Sequence, residues 1–227
     1  MKLLLAVPTY GPVDPQSARA IRAAMMTASN HGVQWGGDES PDGAFFSDAR
    51  NSVVATVLQE DCDGVLWSDS DMVPEPDAYL KLASAGQDLV SCIYYQRKGL
   101  HLPMFGQWCL GENCSICKVG RPGPKGMHSY REWPAGNLLY PVDCFGFGTA
   151  FTSKKLLLSM PTPHFEFWGR FGVGEDLDFC LKAQGAGFQP YIHTGVTVGH
   201  LGDRPVIGHE HYVKALAAHE AVTGKPL

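Results

Sequence analysis

The sequence predicts an α/β fold with a mostly parallel central sheet flanked by helices, and three observations carry that prediction. Short apolar runs alternate along the chain with stretches of helical periodicity, as β-loop-α units do. Segments rich in Gly, Pro and Asp follow several of those runs, where the ligand-binding loops of open sheets lie. The 227 residues are 44% hydrophobic and 18% charged, enough to bury a sizeable core in a single domain over residues 1–227.

The opening run, Met1-Lys2-Leu3-Leu4-Leu5-Ala6-Val7-Pro8, superficially resembles a signal peptide. Its apolar stretch is short, Pro8 stops it and no small-residue cleavage site follows, so it reads as the first strand. Pro8-Thr9-Tyr10-Gly11-Pro12 is a loop. A helix from about Ser17 places Ala18, Ile21, Ala24, Met25 and Ala28 on one face, with Gly32 as its stop. Val33-Gln34-Trp35 is a second strand and Gly36–Gly43, with Asp38, a second loop. A helix over roughly Ser47–Leu58 precedes the buried strand Gly64-Val65-Leu66-Trp67. A helix near Ala78–Ala85 leads to the strand Leu89–Ile93.

From about 96 to 140 no period is visible, and Gly, Pro, aromatic and Cys residues dominate; such a stretch reads as an insertion or a binding loop. Regular elements resume with a strand at Thr149-Ala150-Phe151, helices near Lys154–Ser159 and Glu175–Ala183, a strand at Pro190-Tyr191-Ile192 and a helix at His209–Ala221. No run approaches a membrane span. A net charge of -5 offers no basic footprint for nucleic acid or an anionic membrane. Seven cysteines without an export signal indicate thiols in a reducing cytoplasm.

Asp69-Ser70-Asp71 stands where the Gly64–Trp67 strand ends. Two carboxylates there form a hard-oxygen site for a divalent cation and the phosphates it carries, or else a turn or helix cap. Arg50 falls on the apolar stripe of its helix with Val53, Val54 and Val57, so its guanidinium points inward and must be paired, by a diphosphate or by a core carboxylate. Asn51 beside it suits a neighbouring loop or a ligand hydroxyl.

Glu175, Asp176 and Asp178 open a helix, where the dipole favours acids. With Phe167 and Trp168 upstream to stack on a sugar face, a carboxylate there also suits a general base. His200, flanked by Gly199 and Gly202, is a metal ligand or a structural histidine. Cys109, Cys114 and Cys117, with His128 or His101 as a fourth ligand, have the spacing of a small structural Zn2+ site; reduced thiols in a loop are the alternative.

Pro8-Thr9-Tyr10, Arg50-Asn51, Asp69-Ser70-Asp71, Gly174-Glu175-Asp176 and Gly199-His200 occur in the order and spacing of GT-A fold glycosyltransferases. The chain resembles the family 2-like group, especially the small bacteriophage and bacterial members, from residue 3 to about residue 202. The resemblance implies a Rossmann-like nucleotide-diphospho-sugar transferase fold and a donor, a UDP-sugar by preference, held by Pro8, Thr9, Tyr10, Asp38, Arg50, Asn51, Asp69 and Ser70. It implies Mn2+ or Mg2+ bound by Asp71 and His200, with Asp69 contacting the ribose or completing the metal's shell. Asp176, paired with Glu175, matches the base of inverting hexosyltransferases, and inversion is favoured over retention. A phage-encoded enzyme would work in the host cytoplasm.

The 96–140 insertion is not part of that pattern, so the acceptor is open among a protein, a glycan, a small molecule and a modified DNA base. Two other readings share the architecture. One is a sugar-phosphate nucleotidyltransferase, against which no Gly-rich basic loop follows the first strand. The other is a non-catalytic glycan- or nucleotide-binding module, which has no need of Asp176.

Overall fold

The computed structural model describes residues 1–9, 13–39, 45–109, 126–167, 173–202 and 206–223. In chain order the elements are β1 (Lys2–Ala6), α1 (Pro15–Asn30), β2 (Gln34–Glu39), α2 (Phe46–Gln59), β3 (Gly64–Ser68), β4 (Met72–Val73), α3 (Ala78–Ala83) and β5 (Leu89–Ile93). Five short or medium strands follow: β6 (Phe105–Trp108), β7 (Met127–Ser129), β8 (Leu139–Pro141), β9 (Cys144–Phe145) and β10 (Thr149–Ser153). The chain continues through α4 (Lys154–Ser159), α5 (Glu175–Gly185), β11 (Tyr191–Thr197), β12 (Gly199–Leu201), β13 (Val206–Ile207) and α6 (His209–Thr223).

Seven strands form the central sheet in the order β2-β1-β3-β10-β5-β11-β8. β1 pairs in parallel with β2 and β3, and β5 with β11; β10 runs antiparallel between β3 and β5, and β8 antiparallel at the β11 edge. Five of the seven strands therefore run one way, as the β-loop-α alternation requires. β3 and β5 are buried at every position, as central strands covered on both faces must be.

Alternate residues of each strand feed two cores. Leu4, Ala6, Val65 and Trp67 face one layer with Val53, Val54 and Val57 of α2, Leu156 of α4 and Phe179 of α5. Leu3, Leu5, Leu66 and Val90 face the other with Ile21, Ala24 and Ala28 of α1 and Leu82 of α3. The local signals for these helices are plain: Asp14 Oδ1 accepts from Gln16 N at 2.7 Å ahead of Pro15, and Ser153 Oγ accepts from Leu156 N at 3.1 Å. No helix among the described residues is long and apolar enough to cross a membrane.

Two expectations change. Gly36, Gly37 and Asp38 are not loop but the body of β2: Gly37, Asp38 and Glu39 pair with Leu4, Leu5 and Ala6 of β1, and Gly36 takes up the register shift between Leu3 and Leu4. Among the described residues of the 96–140 stretch, β6, β7 and the start of β8 are strands; β6 pairs with both β7 and β9, and β8 joins the central sheet. Strands of three or four residues are too short to print an alternating pattern, and their support is aromatic: the Phe105 ring meets Trp133 at 5.1 Å and Tyr130 at 6.2 Å. Residues 110–125 of this stretch lie outside the described residues.

Gly64 opens β3 against β10, where an added Cβ would collide with the Thr152 carbonyl and stand 3.1 Å from Ser153 Cα. Both obstacles are backbone of the central sheet and cannot swing aside. Gly64→Ala is expected to cost ~1–3 kcal/mol, read as a lower thermal midpoint; an unchanged midpoint would show that the β3–β10 spacing is not tight.

Candidate active site

The acid pair lies just beyond the carboxyl end of β3, where open sheets gather their ligands. Asp69 N donates to Gly148 O at 2.8 Å and Met72 N to Asp69 O at 3.0 Å, a tight turn that sends the chain directly into β4. There β4 pairs with β12, His200 standing opposite Met72, and Leu201 N donates to Asp71 O at 2.8 Å. A three-stranded sheet of β13, β12 and β4 thus brings His200 to the acid pair across more than a hundred residues of chain.

Tyr95 O lies 2.7 Å from His200 Nδ1, and since a carbonyl only accepts, that nitrogen carries the proton. His200 Nε2 faces Asp71 Oδ2 at 3.4 Å. Burial pushes Asp71 up, but the hydrogen bond and charge of His200 and the charge of Arg97 outweigh it and hold the carboxyl below its ordinary range. Arg97 Nη1 binds the same Oδ2 at 2.8 Å.

Arg50 is 2% exposed and sits behind the cavity wall. Its Nη1 donates to Glu175 Oε1 at 2.9 Å and to Asp176 Oδ1, and its Nη2 to Asp69 Oδ1 at 3.1 Å. The guanidinium also lies over the rings of Phe46, Phe147 and Phe165 at 5.4–5.6 Å. Burial alone would lower its pKa; Asp176, Asp69 and Glu175 together reverse that and raise it. Burial pushes Asp69 up to about 6 despite Arg50, with Asp176 and Asp71 adding to the rise. Glu175 is raised by burial and by the neighbouring Asp176. Asp176 Oδ2 also accepts from Phe147 N at 3.1 Å.

These groups border a cavity of about 600 Å³ whose described lining includes Thr9, Asp69, Ser70, Asp71, Asp176 and His200, as the sequence anticipated. The same lining holds Asp14, Phe46, Tyr94, Arg97 and Met104, which sequence reasoning missed. Tyr94 and Arg97 follow β5 as the acid pair follows β3, so the rule that pointed to one pointed to the other. The spacing of Gly146 and Gly148 was a further signal: a Cβ at Gly148 would stand 2.7 Å from the Tyr94 ring, and Gly148 N donates to Tyr94 Oη at 3.0 Å.

Other expected site residues are placed differently. Arg50 is paired with three carboxylates, the second of the two kinds of partner that the sequence left open for it. Asn51 holds the neighbouring loop, one of its two readings: Nδ2 donates to Phe165 O at 2.8 Å and Oδ1 accepts from Phe165 N at 3.0 Å. Asp69 turns its Oδ1 to Arg50, and among the described residues no three His, Cys, Asp or Glu side chains gather as a metal site. Glu175 points to Arg50 and is not among the cavity's described lining.

Pro8 is buried at the end of the first strand's run, with Thr9 beside it at the cavity. Phe167 is 48% exposed and lines a separate cavity of about 530 Å³ with Phe45, Asp48 and Asn51. Cys109 is buried, and His128 stands on β7 opposite Gln107. Tyr10, Trp168, Cys114, Cys117 and the side chain of Asp38 lie outside the described residues.

The structure is thus a sheet covered by helices on both faces, with an acid pair, a late histidine and the acidic start of α5 brought to one end of it. The chain matches no family model and no curated protein sequence. Solved structures do match. A197 from STIV superposes with a TM-score of 0.60 at 16% identity, over 93% of this chain and 92% of that one. GalNAc-T7, solved with UDP, GalNAc and Mn2+, superposes with a TM-score of 0.52 at 10% identity, over 95% of this chain and 47% of that one. A UDP-glucose pyrophosphorylase superposes less closely, with a TM-score of 0.49 at 11% identity. The fold is therefore that of the GT-A glycosyltransferases.

Replacing Arg50 leaves three carboxylates facing one another in a mostly buried cluster. Arg50→Ala is expected to cost ~3–5 kcal/mol in denaturant unfolding. Arg50→Lys, with one ammonium in place of a planar fork, is expected to recover only part of that; equal stability of all three proteins would mean that the cluster is not held by Arg50.

Proposed function

We propose that this chain is a metal-dependent glycosyltransferase that moves a sugar from a nucleoside-diphosphate donor, by preference a UDP-sugar, to an acceptor hydroxyl. The observation that carries the reading is the pairing of His200 with Asp71. With Nδ1 turned to the Tyr95 carbonyl, Nε2 faces a carboxylate oxygen at 3.4 Å; in the neutral imidazole that nitrogen offers a lone pair, so a divalent cation held by the two groups can replace the proton of the His200–Asp71 hydrogen bond. One nitrogen and one oxygen, with room for phosphate oxygens in a cavity of about 600 Å³, suit Mn2+ or Mg2+. The likeness of fold to GalNAc-T7, solved with UDP, GalNAc and Mn2+, supports the same reading.

The bound cation supplies positive charge for the leaving nucleoside diphosphate. The chain's own residues do the rest. Thr9 and Ser70 offer hydroxyls at the cavity wall and Asp69 a carboxylate for the ribose. Asp176 takes the acceptor's proton as the acceptor oxygen bonds to the anomeric carbon and the sugar–phosphate bond breaks, its electron pair leaving with the diphosphate. Attack from the face opposite the leaving group inverts the anomeric centre. Arg50 and Glu175 act by position, holding Asp69 and Asp176 at one fixed separation. The exposed ring of Phe167, in the neighbouring cavity with Phe45 and Asn51, offers an aromatic face for the apolar face of an acceptor sugar.

Asp71→Ala and His200→Ala are each expected to abolish Mn2+-dependent turnover of sugar nucleotides; full activity in either removes that residue from the metal site. Asp176→Asn is expected to keep donor affinity and lose about 10²–10⁴-fold in transfer. Transfer at the wild-type rate would end its role as the base. Calorimetric binding of sugar nucleotides without any turnover would favour the binding module instead.

A further inference from the structure

Among its described lining the cavity has four carboxylates, Asp14, Asp69, Asp71 and Asp176, and one guanidinium, Arg97. Arg97 Nη1 lies 2.8 Å from Asp71 Oδ2, the same oxygen that faces His200 Nε2 at 3.4 Å. A cation held by Asp71 and His200 has to share or take the oxygen that the guanidinium holds. Two positive groups on one oxygen repel, and the repulsion grows as the site loses water.

The two arginines of the site differ in what they can do. Arg50 is 2% exposed and locked to three carboxylates. The Arg97 side chain is 54% exposed, and an exposed ion pair adds little stability and exchanges readily. Its backbone, by contrast, is anchored. Gln96 N donates to Leu102 O at 3.0 Å and His101 Nδ1 donates to Gln96 O at 2.8 Å, closing a turn in which Gly99 and His101 take φ values of 78° and 50°. A fixed backbone and a free side chain let the guanidinium swing over the cavity mouth. Its planar fork of donors matches phosphate oxygens as well as it matches a carboxylate.

We propose that Arg97 gates the cation site: it neutralises Asp71 in the ligand-free chain and moves onto the diphosphate of an arriving nucleotide, so that cation and nucleotide bind together. The inference rests on the metal-dependent reading above and adds an order of binding to it. Before the nucleotide arrives, the guanidinium opposes the cation; afterwards it and the cation share the diphosphate. Nucleotide and cation then raise each other's affinity by the same factor, and Arg97 carries part of that coupling.

The test measures free Mn2+ by electron paramagnetic resonance in titrations of the full chain, with and without UDP. Wild type is expected to bind Mn2+ weakly alone and more tightly with UDP. Arg97→Gln is expected to bind Mn2+ alone on the order of tenfold more tightly, with the enhancement by UDP reduced by a similar factor. Arg97→Ala serves as a second variant and should melt with wild type, since the side chain is mostly exposed. If Asp71→Ala abolishes Mn2+ binding but both Arg97 variants bind Mn2+ alone no more tightly than wild type, the gate is overturned while the metal site stands. If Mn2+ binds wild type, Arg97→Gln and Asp71→Ala alike, the metal site falls and the gate with it.

Discussion

The buried guanidinium of Arg50 is the constraint on which the site depends. An arginine at 2% exposure costs far too much unless its charge is answered, and here Asp69, Glu175 and Asp176 answer it together. Those acids come from two places in the chain, the end of β3 and the first turn of α5, while Arg50 comes from α2. One side chain thereby ties together three elements that the hydrophobic core alone would leave free to slide by a turn or a residue. The rings of Phe46, Phe147 and Phe165 wall the cluster off from water, which strengthens each of its ion pairs.

Charge in the cluster is unbalanced, with three carboxylates to one guanidinium. Burial and neighbouring acids raise Asp69 to about 6 and raise Glu175 as well, so the cluster holds its negative charge under strain. Asp71 lies in the same cavity but is lowered, because His200 and Arg97 stand on its other side. Two acids one residue apart thus have opposite environments. Asp69 is turned inward to an immobile partner, and Asp71 outward to partners that can exchange. Of the two, Asp71 is the carboxylate more available to the cavity.

Much of this was legible in the sequence, and the reasons differ by residue. Asp69 and Asp71 were readable because a buried strand ending in acids marks the ligand edge of an open sheet. Asp176 was readable because three acids in a first helical turn exceed what a dipole needs. That Arg50 points inward followed from its place on an apolar stripe; its partner did not follow, since a carboxylate and a phosphate make the same demand on a guanidinium. Gly36 and Gly37 were misread as loop because glycine has no side chain to carry a strand pattern. The short strands β6 and β7 were invisible for want of length. Arg97 and Tyr94 were missed although they follow a strand end, because no acid marked that edge and the glycines that meet Tyr94 lie far along the chain, at 146 and 148.

The sequence by itself determined the helices and the longer strands of the central sheet, the faces they bury, and the acids at the end of β3. Those features rest on periodicity and capping, which act over a few residues. Tertiary structure alone decided the partners. β12 pairs with β4 and so sets His200 beside Asp71, and α5 docks so that Asp176 and Glu175 reach Arg50. Pairings over a hundred residues apart depend on how strands order in a sheet and helices pack on it, which no local pattern encodes.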